Sequence, residues 1–126
     1  PKDAYDEAVR VLTTPALAPV FAPETLAEVP IVADLNGATM KGTIDRLIVD
    51  DDTITVIDFK SNATVPATPG DTPEGLLRQM GAYVHAMEQI YPNRTIKAQI
   101  LWTKTAKLMD LVHADVSAAR KRVIVP

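Results

Sequence analysis

Two aspartates and one lysine stand where they could do chemistry together. Asp45 lies in the run Gly-Thr-Ile-Asp-Arg, and Asp58 and Lys60 flank Phe59 in the run Ile-Asp-Phe-Lys. Residues two positions apart share a face of a strand, so Asp58 and Lys60 should point one way and Phe59 the other. Carboxylate oxygens are the ligands that Mg²⁺ and Mn²⁺ prefer. A nearby ammonium group can hold a water molecule or steady the charge on a phosphate.

The predicted strands bring these groups together. Residues 50–52 form a turn between two strand-like runs, and Asp45 and Asp58 lie at similar distances from that turn along the chain. An antiparallel hairpin therefore places the two carboxylates side by side. The alternative is structural, because an aspartate at a strand end can cap a turn. An exposed ion pair between Asp58 and Lys60 would contribute less than about 1 kcal/mol.

Other acidic and histidine residues are weaker candidates. Asp50, Asp51 and Asp52 are adjacent, so their side chains splay apart, and they lack the spacing of a calcium loop. A solvated turn is the better interpretation of this run. His85 lies off the apolar stripe of its predicted helix and is expected at the surface, and His113 receives no role. The sequence contains no phosphate-binding glycine loop, nucleophile elbow or HExxH motif.

Composition narrows the class of protein. The 126 residues are enough for one compact domain, and 47% hydrophobic with 23% charged residues excludes a disordered or fibrous chain. The absence of cysteine excludes disulfides, iron–sulfur clusters and thiolate metal sites, and it is compatible with a reducing cytoplasm. A net charge of −3 argues against binding nucleic acid by bulk electrostatics alone. No run resembles a membrane span or a signal peptide.

The hydrophobic pattern predicts the elements that position these residues. In chain order they are a helix at 3–12, a helical turn at 15–21, strands at 26–35, 39–49 and 53–60, a loop at 61–71, a helix at 72–90, strands at 95–102 and 107–112, and an ambiguous tail at 113–126. The first three strands form an antiparallel meander with an Asn36-Gly37 hairpin turn. The order predicts an α/β fold, a mixed sheet flanked by helices.

Two details of the helices follow from their sequences. The apolar stripe of the first helix consists of Tyr5, Ala8, Val9 and Leu12. In the second long helix, Thr72 is the predicted N-cap and Pro73 the first helical residue. Its apolar stripe comprises Leu76, Leu77, Met80, Tyr83, Val84, Met87 and Ile90.

The ordered motifs resemble those of RecB-type nucleases. The runs Gly42-Thr43-Ile44-Asp45-Arg46, Ile57-Asp58-Phe59-Lys60 and Gln79-Met80-Gly81-Ala82-Tyr83 match G-x-x-D-R, D-[FY]-K and Q-x-x-x-Y in that order. RecB-type nucleases belong to the PD-(D/E)xK superfamily, with a restriction-endonuclease-like fold. The similarity is greatest to the C-terminal nuclease domain of AddA-type double-strand-break repair helicase-nucleases, and Ile100-Leu101-Trp102-Thr103 reinforces it.

The resemblance implies a role for each matched residue. Asp45 and Asp58 would bind a divalent cation, normally Mg²⁺ or else Mn²⁺, with the carbonyl of Phe59 as a third ligand. Lys60 would position or help to deprotonate the attacking water. Gln79 and Tyr83 lie four residues apart on one helix face and would brace the lysine or contact the DNA backbone. The alternative for Tyr83 is a place in the core, because it also belongs to the apolar stripe.

The resemblance also involves Arg46 and Glu28, and this sequence differs from the family in one respect. Arg46 would pair with a site carboxylate or a phosphate, and Glu28 matches a family acid that supports the metal ligands. Related domains carry a metal-binding histidine on a helix upstream of the meander, whereas the predicted helix at 3–12 has none. We therefore expect residues 1–126 to be a single nuclease domain, a fragment of a larger helicase-nuclease that begins after that helix.

The sequence thus predicts a metal-dependent DNA exonuclease domain of a helicase-nuclease in double-strand-break repair. Its expected partners are DNA, the helicase portion of the same polypeptide and a second helicase-nuclease subunit, in the cytoplasm and without a membrane. The alternative is a non-catalytic nuclease-like module that binds DNA or a partner subunit. The presence of Asp45, Asp58 and Lys60 disfavours it, because degenerate copies usually lose the lysine or an aspartate.

Overall fold

The computed structural model describes residues 2–35, 37–62 and 64–121. Its elements are, in chain order, α1 (Lys2–Thr13), a 3₁₀ segment (Pro15–Phe21), β1 (Leu26–Leu35), β2 (Ala38–Val49), β3 (Thr53–Lys60), a 3₁₀ turn (Pro69–Asp71), α2 (Glu74–Ile90), β4 (Thr95–Trp102), β5 (Lys107–Asp110) and α3 (His113–Lys121). None of the described helices is long and apolar enough to cross a membrane.

The strands form one five-stranded mixed sheet in the order β1-β2-β3-β4-β5. β1, β2 and β3 are an antiparallel meander, β3 and β4 are parallel, and β5 returns antiparallel to β4. A parallel pair needs a crossover connection, which α2 provides between β3 and β4. This arrangement confirms the predicted α/β class and the mixed sheet flanked by helices.

β3 lies at the centre of the sheet and contributes to a core on each face. Ile54 and Val56 join the core beneath α2, whereas Ile57 packs with Leu17 and Val20 of the 3₁₀ segment. Burial on both faces explains why this strand reads as a nearly continuous apolar run. The alternation continues to its end, so Asp58 falls on the α2 side and Phe59, which packs with the opposite core, on the other.

The predicted apolar stripe of α1 is confirmed only in part. Tyr5, Val9 and Leu12 are 70%, 40% and 65% exposed, whereas Val11 is 6% exposed. Val11 and Phe59 line one apolar groove, to which Ala8 and Leu12 of the predicted stripe also contribute, so the side of the helix that faces the sheet is shifted toward Val11. Periodicity identifies the helix, but tertiary docking decides which residues of its apolar surface are buried.

α2 confirms the main predicted helix with a shifted start. The helix begins at Glu74, so Pro73 rather than Thr72 occupies the N-cap position. The Thr72 hydroxyl instead donates to the Pro69 carbonyl at 2.7 Å, which closes the 3₁₀ turn before the helix. Ile90 was expected in the buried stripe but is 56% exposed, because the helix has passed Met87, its last buried residue.

The segments at the ends of the sheet differ in detail from expectation. β5 ends at Asp110 rather than at residue 112, and the described part of the tail, up to Lys121, forms α3. Gly81 lets α3 approach α2, since a Cβ there would collide with the Val116 carbonyl oxygen. In the first hairpin, Gly37 has the positive φ of 84° that the predicted turn requires, and Asn36 lies outside the described residues.

Candidate active site

The hairpin places Asp45 and Asp58 at matching positions. The β2–β3 ladder pairs Val49 with Ile54 near the turn and ends where Arg46 pairs with Ile57. Asp45 and Asp58 occupy the next position on their respective strands. Counting residues from the turn therefore located this pair correctly.

The carboxylate of Asp45 replaces a backbone partner beyond the end of this ladder. Its Oδ2 accepts a hydrogen bond from the Phe59 N–H at 2.7 Å. Ile44 and Leu47 both lie in the core beneath α2 although they are three positions apart, so the regular alternation of β2 is broken between them. The break falls at Asp45, whose side chain is thereby directed at the backbone of β3.

Asp58 and Lys60 form an ion pair with one buried end. Lys60 Nζ lies 2.9 Å from Asp58 Oδ2, and the side chains are 30% and 6% exposed, respectively. Apart from this ion pair, the buried Oδ2 has no hydrogen-bond partner within the described part of the chain. A solvated surface pair, the structural alternative considered above, does not fit this burial.

The electrostatics of Asp58 reflect its surroundings. Burial raises the pKa of Asp58 above its ordinary value, the Lys60 ammonium opposes the rise, and the Asp45 carboxylate adds to it. Two carboxylates that share a partly desolvated site repel each other when both are ionised. A cation between them would remove this repulsion.

The donor set fits a hard divalent cation. The two carboxylates converge at one strand end, and one buried oxygen of Asp58 has no partner in the described structure besides the Lys60 ammonium. The carbonyl of Phe59, the third expected ligand, belongs to the residue whose N–H is fixed by Asp45. Within residues 2–35, 37–62 and 64–121, no third acidic or histidine side chain joins these two. The protein would supply oxygen ligands and leave positions for water and substrate, as Mg²⁺ sites usually do.

Gln79 and Tyr83 hold α2 against β2. Gln79 Nε2 donates to the Tyr83 hydroxyl at 3.1 Å, and that hydroxyl donates to the Thr43 carbonyl at 3.3 Å. Gly42 permits the approach, since a Cβ there would lie 2.9 Å from a ring carbon of Tyr83. Tyr83 is 5% exposed and belongs to the core, which was the alternative expected from its place in the apolar stripe. The role of this pair toward lysine or DNA stays a prediction.

Arg46 and Glu28 lie apart from the carboxylate pair in their contacts. Arg46 donates to the Thr25 hydroxyl at 3.2 Å, and its guanidinium lies 5.2 Å from the ring centroid of Phe21. Glu28 is exposed, with an unusual positive φ of 50°. The β1–β2 register continues on both sides of the position where Glu28 would face Asp45 but records no pair there. Arg46 thus contacts the segment before β1, and the expected roles of both residues toward the site stay predictions.

The weaker candidates stay outside the site. Asp50, Asp51 and Asp52 are all exposed, as expected of a solvated turn, and the Asp50 N–H donates to the Thr53 carbonyl at 2.9 Å. His85 is half-buried and its ring Nε2 lies 3.3 Å from Gln89 Nε2. His113 begins α3.

The sequence prediction gave no role to Thr103 and Glu7, which contact the end of β3. The Thr103 N–H donates to the Lys60 carbonyl at 2.9 Å, and its hydroxyl donates to Glu7 Oε2 at 2.6 Å. Thr103 directly follows the strand predicted at 95–102, and the structure shows that this strand ends beside Lys60. No pattern in the sequence connects Glu7 with this position, since the contact spans 96 residues.

One known protein family matches nearly the whole chain. A family profile described as the PD-(D/E)XK nuclease superfamily matches residues 2–122. The chain belongs to the PD-(D/E)XK nuclease superfamily. No curated protein matches the chain in sequence. The match covers the two carboxylates, the lysine, α1 and α2. PD-(D/E)XK nucleases typically use divalent metal ions, in agreement with the oxygen donors found here.

Proposed function

We propose that this PD-(D/E)XK domain is a metal-dependent deoxyribonuclease with Asp45, Asp58 and Lys60 as its active site. The main support for this proposal is the environment of Asp58. Its buried oxygen has the Lys60 ammonium as its one partner in the described structure, and its pKa is raised beside a second carboxylate. Buried polar atoms are normally satisfied, and a perturbed carboxyl beside a charged partner is typical of functional sites.

The arrangement suits phosphodiester hydrolysis. In this reaction a water oxygen forms a bond to phosphorus while the bond from phosphorus to the leaving sugar oxygen breaks. A bound Mg²⁺ or Mn²⁺ would supply a lowered pKa for the bound water and polarise the phosphate. The Lys60 ammonium, 30% exposed, can orient the water and neutralise charge on the phosphate oxygens. Asp45 fixes the backbone of Phe59 between the two reactive residues.

We further propose that the domain acts as the exonuclease of an AddA-type helicase-nuclease in double-strand-break repair. The ordered motifs from Gly42 to Tyr83 and the run at residues 100–103 support this assignment. The partners would be DNA, a helicase portion of the same polypeptide and a second helicase-nuclease subunit. The net charge of −3 agrees with a division of labour in which other parts of the assembly grip the DNA.

One observation favours a second candidate, a nuclease-like module that binds DNA or a partner without cutting. The two carboxylates lack a third acidic or histidine ligand among the described residues, which would weaken metal binding.

A cleavage assay distinguishes the two candidates. The chain is incubated with single- and double-stranded DNA oligonucleotides, with Mg²⁺, with Mn²⁺ or with a chelator, beside a version extended upstream by one helix. The nuclease proposal expects metal-dependent cleavage by at least one version, and loss of that cleavage in Asp45→Asn. Metal-independent cleavage, or DNA binding without cleavage by either version, would contradict it.

A further inference from the structure

The backbone of Lys60 is held from the side opposite Asp45. Lys60 is the last residue of β3, and it pairs with Trp102, the last residue of β4. The Thr103 N–H then donates to the Lys60 carbonyl at 2.9 Å, and the Thr103 hydroxyl oxygen lies 3.2 Å from the same carbonyl. Ser61 and Asn62 follow as exposed, irregular backbone. Thr103 therefore closes the parallel ladder at the residue that carries the reactive ammonium.

Glu7 of α1 fixes Thr103 in turn. The Thr103 hydroxyl lies 2.6 Å from Glu7 Oε2, and its single hydrogen goes to this closer, charged acceptor rather than to the Lys60 carbonyl. The same hydrogen bond lowers the pKa of Glu7, so Glu7 is a carboxylate at neutral pH. Lys104 Nζ lies 3.6 Å from Glu7 Oε1 and adds a second contact to the next residue of the turn.

The position of α1 depends on these polar contacts. Val11 is the one buried residue of the helix, and an apolar groove of about 280 Å³ runs between the helix and Phe59. A helix of 12 residues is marginal without tertiary contacts. Arg10 adds a hydrogen bond to the Lys104 carbonyl at 2.6 Å. Contacts to residues 103 and 104 therefore add to the packing of Val11 and hold α1 behind the end of β3.

We propose that Glu7 and Thr103 are positioning residues that hold the backbone of Lys60, and with it the ammonium, in the orientation for catalysis. This inference rests on the proposed nuclease function. Breaking the contact between Glu7 and Thr103 weakens the hydrogen bond from the Thr103 N–H to the Lys60 carbonyl, while Asp45 and Asp58 stay in place. Turnover then falls, whereas metal affinity and KM stay unchanged, because a small misplacement of a reactive group reduces the chemical step.

Four variants test the proposal by nuclease kinetics. Glu7→Ala and Thr103→Val remove the hydrogen bond, Thr103→Ser keeps the hydroxyl, and Asp6→Ala changes an exposed acid on the neighbouring position of α1. We expect kcat to fall about 10-fold in the first two and to change less than about 2-fold in the others. Equal losses in Glu7→Ala and Asp6→Ala, or a parallel loss of Mn²⁺ affinity, would overturn a positioning role.

Hydrogen exchange provides a readout that does not depend on cleavage. In Glu7→Ala and Thr103→Val the amide of residue 103 should exchange about 10-fold faster, while the Phe59 amide, which donates to Asp45, keeps its rate. Unchanged exchange at residue 103, or equal acceleration at both amides, would refute the inference. If the unmodified chain shows no cleavage, the nuclease proposal fails its own assay and exchange still decides whether Glu7 and Thr103 hold Lys60.

Discussion

β3 has aspartates near both of its ends, and the two groups lie in opposite surroundings. The turn before the strand contains Asp50, Asp51 and Asp52, all exposed. At the other end Asp58 is 4% exposed and stands beside Asp45 and Lys60. The turn has more carboxylates, yet water solvates each of them and their side chains diverge. Convergence and burial, rather than the number of acids, distinguish a candidate metal site from a polar turn.

The physical basis of this difference is desolvation. Exposed carboxylates are stabilised by water and screened by salt, so they have little to gain from a cation. Burial disfavours the ionised form of Asp58, as its raised pKa records. A bound cation would replace the solvation that the carboxyl lost. Matched substitutions at the two ends of β3 therefore test whether the buried carboxylates bind a metal ion and the exposed ones do not.

The largest effect is expected from removing the buried carboxylate. Asp58→Ala should lower DNA cleavage by at least about 10³-fold, because it deletes a metal ligand beside the reacting phosphate. Asp51→Ala, the matched change in the exposed turn, should leave cleavage unchanged. Initial rates at saturating Mg²⁺ measure both. If Asp51→Ala lost as much cleavage activity as Asp58→Ala, the proposed difference between the two ends of β3 would be contradicted.

Removing the lysine should separate chemistry from metal binding. Lys60→Ala is expected to lower kcat by about 10²-fold, since the ammonium stabilises developing charge. Mn²⁺ affinity should hold or increase, because a positive charge near the cation is removed. Titration followed by electron paramagnetic resonance measures binding, with exposed Lys107→Ala as the control. Loss of Mn²⁺ binding in Lys60→Ala would assign the lysine a structural role instead.

Metal affinity should also depend on pH at the buried end. A proton competes with the cation for Asp58, so lowering the pH through its raised pKa should weaken Mn²⁺ binding by up to about 10-fold per pH unit. The loss should therefore begin above 3.8, the ordinary value for an aspartate. Isothermal titration at several pH values tests this, with Asp51→Ala expected to give the same profile. A profile that stays flat until the ordinary pKa would contradict the proposed ligand.

The smallest effect concerns stability without metal. A raised pKa means that the folded state binds more protons than the unfolded state between the ordinary and the raised value, so stability falls as pH rises through that window. Asp58→Asn removes the ionisation and should raise the metal-free Tm by about 2–4 °C at neutral pH. The gain should disappear at low pH, where Asp58 is protonated. Thermal unfolding with Asp51→Asn as the control measures it, and a lower Tm for Asp58→Asn would argue against burial of the charged form.

Much of the site could be read along single strands and one hairpin. The i, i+2 spacing placed Asp58 and Lys60 on one side of β3, and the count of residues from the turn placed Asp45 beside them. Both inferences use periodicities that the backbone imposes on any strand. The exposed turn at residues 50–52 followed from the same local geometry.

Contacts between distant segments were beyond such reasoning. Tyr5 and Val9 of the stripe predicted for α1 are exposed, because docking centres the buried contact of the helix on Val11. The prediction that Ile90 is buried was also wrong, since the buried part of α2 ends at Met87. Glu7 reached the site through a hydrogen bond that spans 96 residues.

The sequence by itself determined the order of helices and strands as far as β5 and the pairing in the meander, and it supplied the proposed site residues Asp45, Asp58 and Lys60. These properties depend on periodicity and turn chemistry, which act over a few residues. The tertiary structure alone decided that Asp58 is buried, that Asp45 binds the Phe59 N–H and that α1 meets Thr103 behind Lys60. Burial and long-range hydrogen bonds depend on which surfaces pack together, and no local pattern contains that choice.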